Sequence, residues 1–184
     1  MEHIPASGPF IIAANHQSNF DPMIVGALAY DRVYNSIARA TLFKSKLLAY
    51  LMNGFGVIAI KRGESDTVAI RRAITTLKKG QGVMIFPEGT RTPDGNVREF
   101  QRGLWLLIKK GKVPVVPVGI DGAYDAWKIG TSPKARGWTE VRAGKPFDGE
   151  ALVEMGEEAG MRAIRESIIQ LNEQCKASIH SRSK

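Results

Sequence analysis

Four short apolar runs, Phe10 to Ala14, Val57 to Ile60, Val83 to Phe86 and Val113 to Val118, alternate along the chain with segments of helical periodicity. A strand that is apolar at nearly every position has to be covered on both of its faces. Strands of a parallel sheet packed between two layers of helices meet that requirement. The pattern predicts an α/β fold: a single-domain mixed, largely parallel sheet flanked by helices. Polar loops that follow the strands are then the place for chemistry.

At 184 residues the chain reads as one domain, 1–184, able to bury a core without disulfides or a structural metal. The lone cysteine, Cys175, has no partner for an internal disulfide, and no apolar leader with a small-residue cleavage site opens the chain. A cytoplasmic location is therefore predicted. The longest uncharged apolar run, Leu47 to Ile60, is shorter than the ~18 residues of a spanning helix and is interrupted by Asn53, Gly54 and Gly56. A net charge of +8 favours anionic partners such as phospholipid surfaces, nucleic acid or phosphorylated metabolites, or else describes a solvated basic surface.

Asp21 before Pro22 reads as a helix N-cap, opening a helix through Met23, Ile24, Val25, Leu28 and Ala29, so that 15–21 is a strand-to-helix loop. Further helices are predicted over 42–52, after a cap at Ser65 or Asp66 with Gly80 as its stop, and over Gly103 to Lys110. Pro114 and Pro117 make Val113 to Val118 an edge or irregular strand. Thr139 to Arg142 is strand-like. A last amphipathic helix spans about 157–176, with Met161, Ile164, Ile168 and Leu171 on its apolar face and a loose tail beyond.

Of three histidines only His16 is away from the chain ends, in Asn15-His16-Gln17-Ser18-Asn19-Phe20-Asp21. In a tightening loop the Asp21 carboxylate can bond one ring nitrogen and leave the other basic, an arrangement that takes a proton from an alcohol near neutral pH. The competing reading has Asp21 capping its helix and His16 bonding only to loop backbone. The Phe86-Pro87-Glu88-Gly89-Thr90-Arg91 loop combines a backbone that approaches a ligand closely with a guanidinium suited to phosphate, Glu88 orienting Arg91 or accepting a ligand hydroxyl. An ordinary turn explains the same residues. Lys61 and Arg62 place two cations at a strand end. One cysteine and three scattered histidines supply no metal site, and Cys175, inside the last amphipathic helix, reads as an inert buried thiol. No nucleotide-binding glycine loop or nucleophile elbow occurs.

Taken in order, His16 to Asp21, Gly56 to Arg62, Phe86 to Arg91 and Val113 to Val118 resemble the four motif blocks of the lysophosphatidic acid (1-acylglycerol-3-phosphate) acyltransferases, in the glycerolipid acyltransferase superfamily. The resemblance runs from about residue 4 to residue 147. It implies that fold and the transfer of a fatty acyl group to the sn-2 hydroxyl of a lysophospholipid, giving phosphatidic acid. The donor would be acyl-CoA or acyl carrier protein, with no cofactor and no metal. By position, His16 would be the general base and Asp21 its partner. Arg62, Glu88, Gly89, Thr90 and Arg91 would hold the glycerol phosphate, with Arg39 in place of a lysine usual in the family. Val116 and Pro117 would shape the acyl-donor or acyl-chain side. Gln101-Arg102-Gly103 stands where the family commonly has a lysine.

The family often begins with an amphipathic or hydrophobic anchor, whereas here the first strand comes almost at once; Leu47 to Phe55 with Lys44, Lys46 and Lys61 is the candidate membrane-facing patch. The expected protein is peripheral on the inner face of the membrane and binds no nucleic acid. Three alternatives remain. They are an acyltransferase for another acceptor (a lyso-ornithine lipid, another lysophospholipid or glycerol 3-phosphate), a thioesterase, and a basic nucleic-acid-binding domain, which would explain the charge but not the His16 and Glu88 loops.

Overall fold

A computed structural model of the chain describes residues 3–39, 57–60, 66–134 and 137–182. Six strands form one sheet: β1 (Ile11–Ala14), β2 (Tyr34–Arg39), β3 (Val57–Ile60), β4 (Gly82–Ile85), β5 (Val115–Asp121) and β6 (Glu140–Ala143). Their order is β3-β2-β4-β1-β5-β6; all neighbours are parallel except β6, which runs antiparallel to β5. Among the described residues the helices are α1 (Asp21–Gly26), continued by a 3-10 turn over Ala27–Ala29, α2 (Asp66–Lys78), α3 (Gly103–Gly111), α4 (Ala123–Ala126), α5 (Gly149–Met155) and α6 (Glu157–Arg182).

Alternate strand residues point to opposite faces, which divides the core in two. Ile11, Ala13, Val83, Ile85 and Val115 pack against α2, α3, α5 and α6 through Ala73, Leu77, Leu104, Ile108, Leu152 and Ile168. On the other face Ile12, Ala14, Met84, Val116, Val118 and Ile120 meet Val25, Ala29 and Ala123. The predicted two-sided parallel sheet is therefore the fold found. Leaving β1 the chain passes to one face and moves toward β2; leaving β4 it passes to the other face and moves toward β5. Adjacent strands whose connections leave to opposite faces in this way open a crevice at their carboxyl ends. His16 follows β1 and Glu88 follows β4, so both loops border that crevice.

Several expectations are corrected. Of the two readings of the proline-containing strand the edge is excluded, because β5 lies between β1 and β6, and the irregular strand is the one found. Pro117 is accommodated where the ladder to β6 is broken: its carbonyl accepts the Gly144 N–H at 2.8 Å, and pairing resumes three residues later between Val115 and Phe147. Two residues on β5 face three on its partner, a bulge of the kind that tolerates a missing N–H. The last helix does not stop near 176 but runs to Arg182, whose guanidinium reaches Glu140 at 3.6 Å. The helix expected from Asp21 to Ala29 tightens into a 3-10 turn after Gly26. The helix predicted over 42–52 and a cap at Ser65 lie outside the described residues.

One contact sets how closely α6 lies on the sheet. A Cβ on Gly119 would fall 2.5 Å from both Asn172 N and Leu171 Cβ, so only glycine lets the helix backbone sit on β5. Asn172 Nδ2 then donates to the Ile120 carbonyl at 2.6 Å. Gly119→Ala is expected to lower stability by about 1–3 kcal/mol through overpacking, read as a lower denaturation midpoint. Gly103→Ala, whose added methyl meets only Ile70 at 3.5 Å, is the control and should differ little from wild type.

Candidate active site

The loop between β1 and α1 is folded around one carboxylate oxygen. Asp21 Oδ2 accepts the backbone N–H groups of Gln17 at 2.6 Å and Ser18 at 2.7 Å, and His16 Nδ1 at 2.7 Å. Asp21 is fully buried and His16 is 16% exposed. Asp21 therefore does not cap its helix: the N-cap position is Phe20, with no side-chain cap bond, and the carboxylate turns back into the loop. Three donors for one charged acceptor outweigh the single amide bond a cap would make. Because a carboxylate only accepts, Nδ1 carries the hydrogen and Nε2 is left with its lone pair.

The imidazole is placed on its other sides by the loop after β4. Its ring stacks on Phe86, with centroids 4.2 Å apart and 19° between planes. The His16 N–H donates to Glu88 Oε1 at 2.9 Å, and the His16 carbonyl accepts the Thr92 N–H at 2.7 Å. Gly89, at φ 69°, makes the left-handed turn that lets this loop double back. Glu88 is 3% exposed, and its Oε2 has no hydrogen-bond partner among the described residues. Burial pushes its carboxyl up to about 7, a rise that the Asp21 charge adds to and the bonds from the His16 and Arg98 backbone oppose. Glu88 thus holds the backbone of His16 rather than orienting Arg91.

Arg91 is half-buried; desolvation lowers its pKa while the nearby Asp21 carboxylate raises it, which brings its charge to the His16 loop. Thr90 is exposed on the rim of an open cleft of about 420 Å³ that it shares with Glu88, Arg98, Gln101 and Arg165. Arg39 closes β2 at the same end of the sheet, its side chain outside the described residues, and Arg62 lies wholly outside them. Val116 and Pro117 are not brought to this site: both are buried in β5, Val116 in the apolar layer with Ile12 and Met84. Cys175 is buried on α6 against the Gly119 carbonyl, its thiol pushed up to about 12 by desolvation. Among the described residues no cluster of three or more His, Cys, Asp or Glu is arranged to hold a metal ion.

Sequence reasoning missed the amides that anchor the loop. Asn15 bonds both backbone groups of Ile120, donating at 2.9 Å and accepting at 2.7 Å. Gln17 donates to the Gly95 carbonyl and Asp121, and accepts the Tyr124 N–H. They flank His16, and together with Asn172, a polar residue interrupting the apolar stripe four residues after Ile168, they were the available signal.

A family model described as Acyltransferase matches residues 1–121. The chain is 34% identical over 125 residues, 66% of its length, to a chloroplastic 1-acyl-sn-glycerol-3-phosphate acyltransferase of Brassica napus, of which it spans 36%. To the 1-acyl-sn-glycerol-3-phosphate acyltransferase of Bacillus subtilis it is 28% identical over 171 residues, covering 92% of this chain and 82% of that one. The crystal structure of the 1-acyl-sn-glycerophosphate (LPA) acyltransferase PlsC from Thermotoga maritima superposes with a TM-score of 0.75 at 30% identity, over 96% of this chain and 70% of that one. With a parallel sheet whose crevice presents a carboxylate-bound histidine, and with these matches, the chain belongs to the acyltransferase family.

Proposed function

We propose that the protein transfers a fatty acyl group from a thioester, acyl-CoA or acyl carrier protein, to the sn-2 hydroxyl of 1-acyl-sn-glycerol 3-phosphate, forming phosphatidic acid. The observation that carries this reading is the His16 Nδ1 bond to buried Asp21, which leaves Nε2 as the acceptor. Nε2 takes the proton of the acceptor hydroxyl as its oxygen attacks the thioester carbonyl. The tetrahedral oxyanion collapses, the carbon–sulfur bond breaks, and the departing thiolate receives the proton from the imidazolium. An already activated thioester needs no enzyme nucleophile, and the buried Cys175 thiol is not offered as one. The family relatives named above supply the acceptor class; Arg91, Thr90, Arg39 and Arg62 are the groups proposed for its phosphate.

Glu88 and Gly89 join that reading in a different role from a direct phosphate contact: the carboxyl fixes the His16 backbone and the glycine permits the turn that delivers it. We place the protein as a peripheral component at the inner face of the membrane. Among the described residues no helix is long and apolar enough to cross one. The 47–55 patch and its lysines lie outside the described residues.

His16→Ala should form phosphatidic acid roughly 10³-fold more slowly, within the usual range for a lost general base, while keeping its circular dichroism spectrum. Product formation at the wild-type rate would remove the base assignment. If the wild type makes no phosphatidic acid but acylates a competing lysophospholipid, the acceptor is wrong. CoA release that needs no acceptor would indicate hydrolysis instead.

Glu88 adds a pH dependence. Its carboxyl holds a proton up to about pH 7 when folded and only to its ordinary 4.5 when unfolded. Between those values the folded state binds the extra proton, so stability falls as pH rises through the window and is level above it. The expected loss is about 3 kcal/mol. Glu88→Gln, which keeps an acceptor for the His16 N–H, should remove this slope in urea midpoints measured from pH 5 to 8; an unchanged slope would assign it to another group.

A further inference from the structure

The loop that joins α4 to β6 emerges at the same end of the sheet as the His16 crevice, because β5 runs toward that end and antiparallel β6 returns from it. It is bound to the catalytic loop at its root. Trp127 packs on Phe20 with ring centroids 5.0 Å apart, and the Tyr124 N–H donates to Gln17 Oε1 at 3.2 Å. The segment is curled on itself by Trp127 Nε1–H donating to the Thr131 carbonyl and Lys134 N–H donating to that of Ala126. Beyond this root it presents its side chains to solvent, with 129–134 and 137–139 all exposed.

Two of the large apolar side chains on the surface belong to this one loop, Ile129 at 46% and Trp138 at 58% exposure. Lys128 and Lys134 stand among them, and the sequence has no acidic residue between Asp125 and Glu140. Of those two acids, Glu140 is already bound to Arg142 at 2.6 Å. Asp125 pairs with Lys128 at 3.3 Å on an exposed surface, where such a pair holds little. Among the other exposed apolar side chains of the described residues, Leu106 stands alone on its helix beside Lys109 and Lys110, with no second exposed large apolar group in its loop or turn. Tyr30 and Val33 precede β2 at the opposite end of the sheet, and Met155 is followed by Glu157 and Glu158. An indole and an aliphatic chain flanked by lysines match the boundary of an anionic bilayer, where apolar groups enter the acyl region and ammonium groups meet the phosphates.

We propose that the surface made by 127–134 and 137–139, through Ile129, Trp138, Lys128 and Lys134, seats the protein on an anionic phospholipid bilayer. The proposal rests on the reading that the acceptor is a lysophospholipid, and it gives that reading a geometry. Seating through a loop packed on Phe20 turns the His16 crevice toward the layer that holds the acceptor.

The whole chain is tested by co-sedimentation with phosphatidylcholine vesicles with and without phosphatidylglycerol, and by quenching of tryptophan fluorescence with brominated lipid. Wild type should bind the anionic vesicles, lose binding as salt rises, and show quenching that falls in Trp138→Phe to what Trp127 at the root of the loop retains. Ile129→Ser with Trp138→Ala, and separately Lys128→Glu with Lys134→Glu, should each weaken vesicle binding roughly tenfold or more. Both should retain wild-type rates on a short-chain lysophosphatidic acid dispersed as monomers. Undiminished vesicle binding by both pairs, or a wild type that binds no vesicles, overturns the proposal. Vesicle binding lost in the variants of a wild type that acylates no lysophosphatidic acid sustains the surface and overturns the acceptor reading instead.

Discussion

A single buried oxygen, Asp21 Oδ2, organises the part of the molecule where chemistry can occur. Two backbone N–H groups and an imidazole converge on it. The amides of Gln17 and Ser18 would be costly to bury unpaired, since a peptide N–H removed from water without an acceptor is destabilised by more than an ordinary hydrogen bond gains. Satisfying them with a charged acceptor closes the loop, and the same closure brings Nδ1 onto the carboxylate. The orientation of His16 is therefore a consequence of how the loop meets its own backbone requirements.

Closure of that loop would be local without the sheet. The parallel pairing of β1 with β4 brings residues about seventy positions apart into contact at their carboxyl ends, so that Glu88 receives the His16 N–H and Thr92 donates to the His16 carbonyl. From the far side, Asn15 and Asn172 share the Ile120 carbonyl, and Gln17 reaches Gly95 and Asp121. The close seat of α6 on Gly119 makes the Asn172 contact possible. Burying the Glu88 carboxyl works against stability above pH 7, and it is retained where it fixes the base; local destabilisation of this kind is characteristic of functional sites.

Much of this was readable before the fold was known. The four apolar runs became β1, β3, β4 and β5, and the pairing of His16 with Asp21 was one of two readings the spacing allowed. The cap reading failed because helix-start statistics describe a residue's own neighbourhood, while three donors were waiting in the preceding loop. The prolines allowed an edge or an irregular strand, and only the fold chose the second, because the bulge that excuses the missing N–H of Pro117 is made by Gly144 to Phe147, distant in sequence. The end of the last helix was missed for a similar reason: it is held in part by Arg182 on Glu140, a contact across the fold that periodicity does not see.

What the sequence determined by itself was everything that depends on near neighbours along the chain. That includes the alternation of apolar runs with helical periodicity, the left-handed turn available at Gly89, and the chemistry of the imidazole, carboxylates and guanidinium carried by the loops. The tertiary structure alone decided which of these groups meet. Strand order opens the crevice between β1 and β4, burial raises Glu88 toward neutrality and takes Val116 into the core, and the antiparallel return of β6 carries an exposed tryptophan to the catalytic end. Hydrogen bonding, desolvation and exposure are properties of surroundings, and the surroundings of a side chain exist only once residues distant in sequence have packed together.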